Sequence, residues 1–213
     1  LPIIYQSKNP KEDLKAYVRN YLAEEIKAEA LVRSYERFVR FLETMALSNA
    51  HELNYANLAN DSGVPARTIE GYIEVLTDTL MAFELLPFTK TLKRKAISKS
   101  KFYFFDVGVA NYLAEKLPLH EGVSDIGFCF EHFIINEVRA YLSYSRTDKK
   151  LTYWRSGKHE VDLIIGKDLA LEIKFSKQIN DAFFEGLKIL KEENIIKKYM
   201  IVGRFKTSGS RDG

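Results

Sequence analysis

Two runs with strand character, residues 160–165 and 169–175, are separated only by Gly166-Lys167-Asp168. That three-residue spacer constrains the fold more than any other feature of the chain. A connection this short joins antiparallel neighbours, since a parallel pair needs a crossover of about a dozen residues or more. Side chains alternate faces along a strand. Glu160 and Asp162 are therefore expected on one face, with Val161 and Leu163 on the other. In the second run Glu172 and Lys174 share a face, with Leu171, Ile173 and Phe175 opposite. A hairpin through the glycine turn sets Asp162 beside Glu172, with the Lys174 ammonium two residues on.

The flanking sequence extends this hairpin into a small domain over residues 128–205. Residues 128–142 read as an apolar-rich helix carrying Glu131 and Glu137, and residues 150–155 as a strand containing Trp154. A helix over 180–193 and a strand over 199–202 follow, giving the order αβββαβ. Asp162 and Glu172 are a carboxylate pair suited to Mg²⁺ (or Mn²⁺), which takes oxygen ligands and keeps several waters. Such an ion polarises a phosphate and helps generate a hydroxide nucleophile. Lys174 would position that water or offset charge developing on phosphorus. Glu131 is the third candidate ligand, direct or through water. Glu137, six residues further on, falls on another helix face. The candidate catalytic set is thus Glu131, Asp162, Glu172 and Lys174. His51, His120, His132 and His159 have no metal-ligand spacing, so no zinc site is expected.

The first part, residues 1–117, reads differently. Asn9-Pro10 opens a helix whose apolar positions are Leu14, Tyr17, Val18, Tyr21, Leu22 and Ile26, and Ser34 is placed to cap a second. A short helix over 55–60, a turn at Asp61-Ser62-Gly63 and a helix from Val64-Pro65 to about Thr79 form a helix-turn-helix. Its inward positions are Ile69, Tyr72, Ile73, Leu76 and Leu80. Strands over 83–89 and 102–105 then flank Lys90, Lys93, Arg94, Lys95, Lys99 and Lys101, with no acid among residues 90–101. That pattern fits the wing of a winged helix lying along a DNA backbone. The second helix exposes Arg67 but also Glu70 and Glu74, so phosphate contact is expected rather than base readout. Asp106 is placed to cap a short helix over 110–116, and the domain boundary falls in a loop over 118–127.

The formal net charge of +3 is too small to establish nucleic-acid binding, so the argument rests on where the charge sits. No apolar run approaches the roughly 20 residues that span a bilayer, so no membrane insertion is expected. One cysteine, Cys129, cannot form an internal disulfide, which fits a reducing, cytoplasmic compartment. The chain starts on Leu1 and contains neither GxxxxGK[ST] nor GxGxxG, and reads as a fragment of a longer protein.

On Glu131, Glu160-Val161-Asp162 and Glu172-Ile173-Lys174, residues 128–202 resemble the PD-(D/E)XK nuclease superfamily, although no proline precedes Asp162. Tyr153-Trp-Arg155, Glu160-Val-Asp162, Leu171-Glu-Ile-Lys174 and Lys101-Phe-Tyr-Phe-Phe-Asp106-Val-Gly108 also resemble the C-terminal half of archaeal-type AAA+ ATPases. The second resemblance implies an ATP-binding module preceding these residues. The expected fold is α/β (α+β overall), with a helical and winged-helix part before the nuclease-like domain. Two functions follow as expectations: a Mg²⁺-dependent DNA endonuclease, or a non-catalytic DNA- or protein-binding module serving an AAA+ ATPase. Self-association or a protein partner is compatible with either.

Overall fold

Helices in the first part start where the chain supplies a capping side chain or a proline. A computed structural model describes residues 2–22, 34–91, 99–117, 125–206 and 209, with backbone alone for residues 2, 3 and 20–22. After a single turn, α1 (Pro2–Tyr5), the helix α2 (Pro10–Ala16) begins on Pro10 as expected. Its continuation is different: the turns widen to a π-type helix over Tyr17–Leu22, and the expected contact at Ile26 lies outside the described residues. In α3 (Tyr35–Leu47) Ser34 occupies the capping position, yet its side chain makes no capping bond. That helix is held instead by burial of Phe38, Phe41, Leu42, Met45 and Ala46 along one face.

The helix pair predicted at residues 55–79 is present with shifted ends. In α4 (Tyr55–Ser62) the Asn54 side chain accepts from the Asn57 amide at 3.2 Å, and Gly63 closes the helix in the left-handed region at φ 65°. In α5 (Ala66–Asp78) the residues Ile69, Tyr72, Ile73 and Leu76 are buried. Tyr72 packs edge-on against Phe38, with ring centroids 5.0 Å apart. Leu80 departs from the expected inward face. The helix ends before it, and Leu80 sits at φ 60° with 77% of its surface exposed. Asp106 does cap a helix, accepting from the Val109 amide at 3.0 Å, but that helix is α6 (Val107–Leu113) and starts earlier than expected.

The chain divides into two compact units, residues 1–84 with 101–120, and residues 85–100 with 121–213. The first is therefore not the continuous stretch 1–117 read from the sequence. Strand β1 (Ala82–Pro87) explains the difference, because it has two neighbours in the sheet order β2-β1-β3-β4-β5-β6. At its start Phe83 stacks on Tyr103 of β2 (Lys101–Phe104), with centroids 5.2 Å apart. At its end Leu86 and Pro87 pair in parallel with Thr152 and Tyr153 of β3 (Leu151–Ser156).

The second unit follows the order read from the sequence: α7 (Ile126–Tyr144), β3, β4 (His159–Ile165), β5 (Leu169–Ile173), α8 (Glu185–Lys191) and β6 (Lys198–Val202). A 3₁₀ turn, Asp181–Phe184, leads into α8. Strands β3, β4 and β5 are antiparallel neighbours, and β6 joins β5 in parallel. Trp154, Val161, Ile164, Ala170, Leu187 and Leu190 form the core of this unit with Phe88 and Ile196. The architecture is mixed α+β.

Helix α8 meets the sheet closely because of Gly186, where an added Cβ would overlap the Glu160 carbonyl oxygen. Gly186→Ala is therefore expected to destabilise the protein by about 1–3 kcal/mol, through backbone displacement. At an unconstrained helix position the same change stabilises by roughly 1 kcal/mol. Denaturant unfolding of the two proteins checks the sign.

Candidate active site

The hairpin that carries the acids is pinned at its turn. Asp168 receives Lys149 at 2.8 Å and Lys197 at 2.6 Å, and these bonds hold its carboxyl down at about 2. From that turn the β4–β5 ladder runs Ile165 with Leu169, Ile164 with Ala170 and Leu163 with Leu171. The next position in this register is Asp162 with Glu172, and there the backbone ladder stops. The Asp162 carboxylate takes over, accepting from the Ile173 amide at 2.7 Å.

The other edge of β4 carries a bulge. Thr152 pairs with Ile164 and Trp154 with Val161, so Tyr153 alone faces two residues, Asp162 and Leu163. Val161 and Ile164 consequently enter the same core cluster, which strict alternation forbids for residues three apart. The expected parity along β4 therefore holds only in part.

Lys174, one residue beyond β5, joins the two acids. Its Nζ lies 2.6 Å from Glu172 Oε1 and 3.4 Å from Asp162 Oδ2. Both carboxylates are nearly inaccessible, Asp162 at 4% and Glu172 at 7% exposure. Burial, and then the Asp162 charge, push the Glu172 carboxyl up to about 7 against the opposing pull of Lys174. Burial lowers the Lys174 ammonium, but Asp162 and Glu172 outweigh it and its pKa is raised. Glu172 Oε2 is buried and has no hydrogen-bond partner. A buried acceptor left in this way costs about 1–3 kcal/mol.

Glu131 lies in α7 and is buried, whereas Glu137 is exposed, which separates the two acids as the helical spacing implies. Helix α7 is anchored to the strand end by Phe130, whose ring meets Phe175 at 5.5 Å in an edge-on contact. Even so, among the described residues no three His, Cys, Asp or Glu side chains are gathered as a metal cage. The Asp162–Glu172 pair, without Glu131, is the compact carboxylate site. Two carboxylates with an orphaned oxygen fit Mg²⁺, which uses one or two protein carboxylates and fills its remaining positions with water and phosphate.

The basic residues proposed for DNA contact are less uniform. Arg67, Lys90 and Lys99 are exposed, while Lys93, Arg94 and Lys95 lie outside the described residues. Lys101 departs from the expectation: it sits in β2, every residue of which is buried, at 4% exposure. Its ammonium is thereby removed from any exposed basic surface. The sequence also gave no warning of the β4 bulge or of the Asp162 bond to the Ile173 amide. Arg204, stacked 4.7 Å over Phe175, was missed although it stands in the short basic run Gly203-Arg-Phe-Lys206.

Comparison with known proteins divides the chain in a similar way. The family described as "Domain of unknown function (DUF8612)" matches residues 1–120, more than half of the 213 residues. The chain belongs to this family. Residues 126–211 match a second description, "Domain of unknown function (DUF4143)". Uncharacterized proteins of Mycobacterium bovis and Mycobacterium tuberculosis are each 28% identical over 126 residues, 56% of this chain. The chain covers 27% of the length of these curated relatives. No solved structure matches the chain. Among the described residues no helix is long and apolar enough to cross a membrane.

Proposed function

We propose that the second unit is a PD-(D/E)XK-type, Mg²⁺-dependent DNA endonuclease centre, and that the helix pair of the first unit is a winged-helix DNA-contact element. In the intact protein both would serve an AAA+ ATPase, whose own module would supply ATP binding. The observation that carries the reading is the convergence of the Asp162 and Glu172 carboxylates on the Lys174 ammonium, with Glu172 Oε2 buried and without a hydrogen-bond partner. Asp162 and Glu172 would hold the ion, which supplies a polarised phosphate and an activated water. Lys174 would hold the attacking water and offset charge at phosphorus. Asp162 is oriented for its part by the Ile173 amide, and Glu172 by the Lys174 ammonium.

The test is incubation of the protein with linear, single-stranded and four-way DNA in Mg²⁺ or Mn²⁺. Cleavage is expected for the wild type and lost in both Glu172→Ala and Lys174→Ala, with DNA binding retained. A second reading, a binding module without cleavage, is favoured by one observation: α5 exposes Glu70, Glu74 and Asp78 beside Arg67. Acids on that face repel phosphate and suit a basic protein surface. Intact DNA under every condition, with a metal ion still bound, would select this second reading.

A further inference from the structure

We propose that a nucleic-acid strand engaged by the Asp162–Glu172–Lys174 site runs its phosphate backbone over a ledge formed by Lys177, Arg204 and Lys206. The inference rests on the nuclease reading and assigns its substrate-positioning residues in the second unit.

The ledge is built by the two parallel strands that end beside the site. Pairing between them continues past their ends, from the Lys174 amide to the Val202 carbonyl at 2.9 Å and from the Arg204 amide to the Ser176 carbonyl at 2.8 Å. Residues 174–176 and 202–204 therefore lie side by side, with Lys177 and Lys206 one and two residues beyond them. Gly203 permits this approach, since an added Cβ would stand 3.0 Å from the Lys174 carbonyl oxygen and 2.6 Å from the Phe205 ring. Neither residues 174–180 nor residues 198–206 contain an acid, while together they carry Lys174, Lys177, Lys198, Arg204 and Lys206. Lys177 and Lys206 are exposed, and Arg204 is half-buried.

Arg204 is the oriented member. Its guanidinium lies over Phe175, and Phe175 is braced in turn by Phe130 of α7. Contact with the ring restrains the guanidinium, whose planar donor fork is the type of group that makes bidentate phosphate contacts. Phe175 directly follows Lys174 in the chain, so Arg204 is anchored at the strand end that carries the site. A strand whose scissile phosphate met Lys174 would find cations in the segments that follow β5 and β6, at Lys177 and at Arg204 and Lys206. Basic groups on one side of a metal-binding carboxylate pair attract a polyanion while the carboxylates repel it until a cation is bound. Phosphate contacts of this kind set register and orientation without reading sequence.

The experiment uses the full chain and fluorescence anisotropy with labelled duplex and labelled single-stranded DNA, in EDTA, over about 50–300 mM salt. In the triple variant Lys177→Gln, Arg204→Gln, Lys206→Gln the slope of log K against log salt is expected to flatten by roughly two to three units on duplex. A second variant, Lys177→Glu with Lys206→Glu, keeps the stacked arginine and its packing, and is expected to weaken binding at least as much. Calorimetric titration with Mg²⁺ runs in parallel, and both variants are expected to bind the ion as the wild type does. An unchanged slope in both variants overturns the ledge, as does a wild type that binds neither DNA. Poly-glutamate bound as tightly as DNA also overturns it, by showing a general anion surface. If Mg²⁺ binding survives any of these results, the ledge falls and the nuclease reading stands. Loss of Mg²⁺ binding in the wild type itself removes the nuclease reading.

Discussion

At pH 8, where the Glu172 carboxyl is ionised, replacing Lys174 with methionine is expected to destabilise the metal-free protein by about 3 kcal/mol, because it leaves two buried acids facing each other without their cation. The ammonium now stands 2.6 Å from Glu172 and 3.4 Å from Asp162, with 34% of its side chain exposed, so solvent relieves part of the repulsion. Methionine keeps the length of the aliphatic stem and isolates the loss of charge. Saturating Mg²⁺ should recover much of the deficit, since a divalent ion bound only by the folded state stabilises it by mass action. Urea unfolding in EDTA and in Mg²⁺ reads both effects. A loss below roughly 0.5 kcal/mol, of the size seen for ordinary surface substitutions, would mean that the triad is a solvated surface cluster.

The second large effect concerns pH. Burial and the neighbouring Asp162 raise the Glu172 carboxyl to about 7 in the folded protein, from an ordinary carboxyl value of 4.5. The folded state therefore holds a proton that the unfolded chain releases between those values. Below about pH 4 both states are protonated and the group contributes nothing. As pH rises toward 7 the folded state is progressively penalised, reaching about 3 kcal/mol above it. Glu172→Gln removes the ionisation while keeping an acceptor for Lys174. It is expected to match the wild type near pH 4 and to be the more stable protein at pH 8, in EDTA. Equal pH profiles for the two proteins would place the Glu172 carboxyl at its ordinary value. The same proton competes with a metal ion, so Mg²⁺ affinity is expected to rise about tenfold from pH 6 to pH 8.

The parts of this molecule that were legible in the sequence are those set by local chemistry. Gly63 and Asp106 mark helix ends through backbone freedom and a capping side chain, and each does so in the structure. The Gly166-Lys167-Asp168 turn announced the hairpin and brought Asp162, Glu172 and Lys174 together. What escaped depends on partners far along the chain. Nothing in residues 82–87 indicates that β1 takes a second neighbour at Thr152. Lys101 carries a charge, and charge alone suggested exposure, but the strand holding it is buried throughout. The bulge opposite Tyr153 is likewise invisible to a period-two pattern, because all the residues around it are compatible with a regular strand. Helical spacing extends the inward face to Leu80, beyond the point where the helix ends.

Whether the paired carboxylates bind a hard cation is decided by calorimetric titration of the intact chain with Mg²⁺ and Mn²⁺ at pH 8. The account predicts saturable binding in the millimolar range or tighter. It predicts that Glu172→Ala abolishes this binding and that Lys174→Ala retains it, since an ammonium group cannot be a ligand. A wild-type protein that takes up no divalent ion at millimolar concentration would contradict the account, and would leave Asp162, Glu172 and Lys174 as a structural ion-pair cluster.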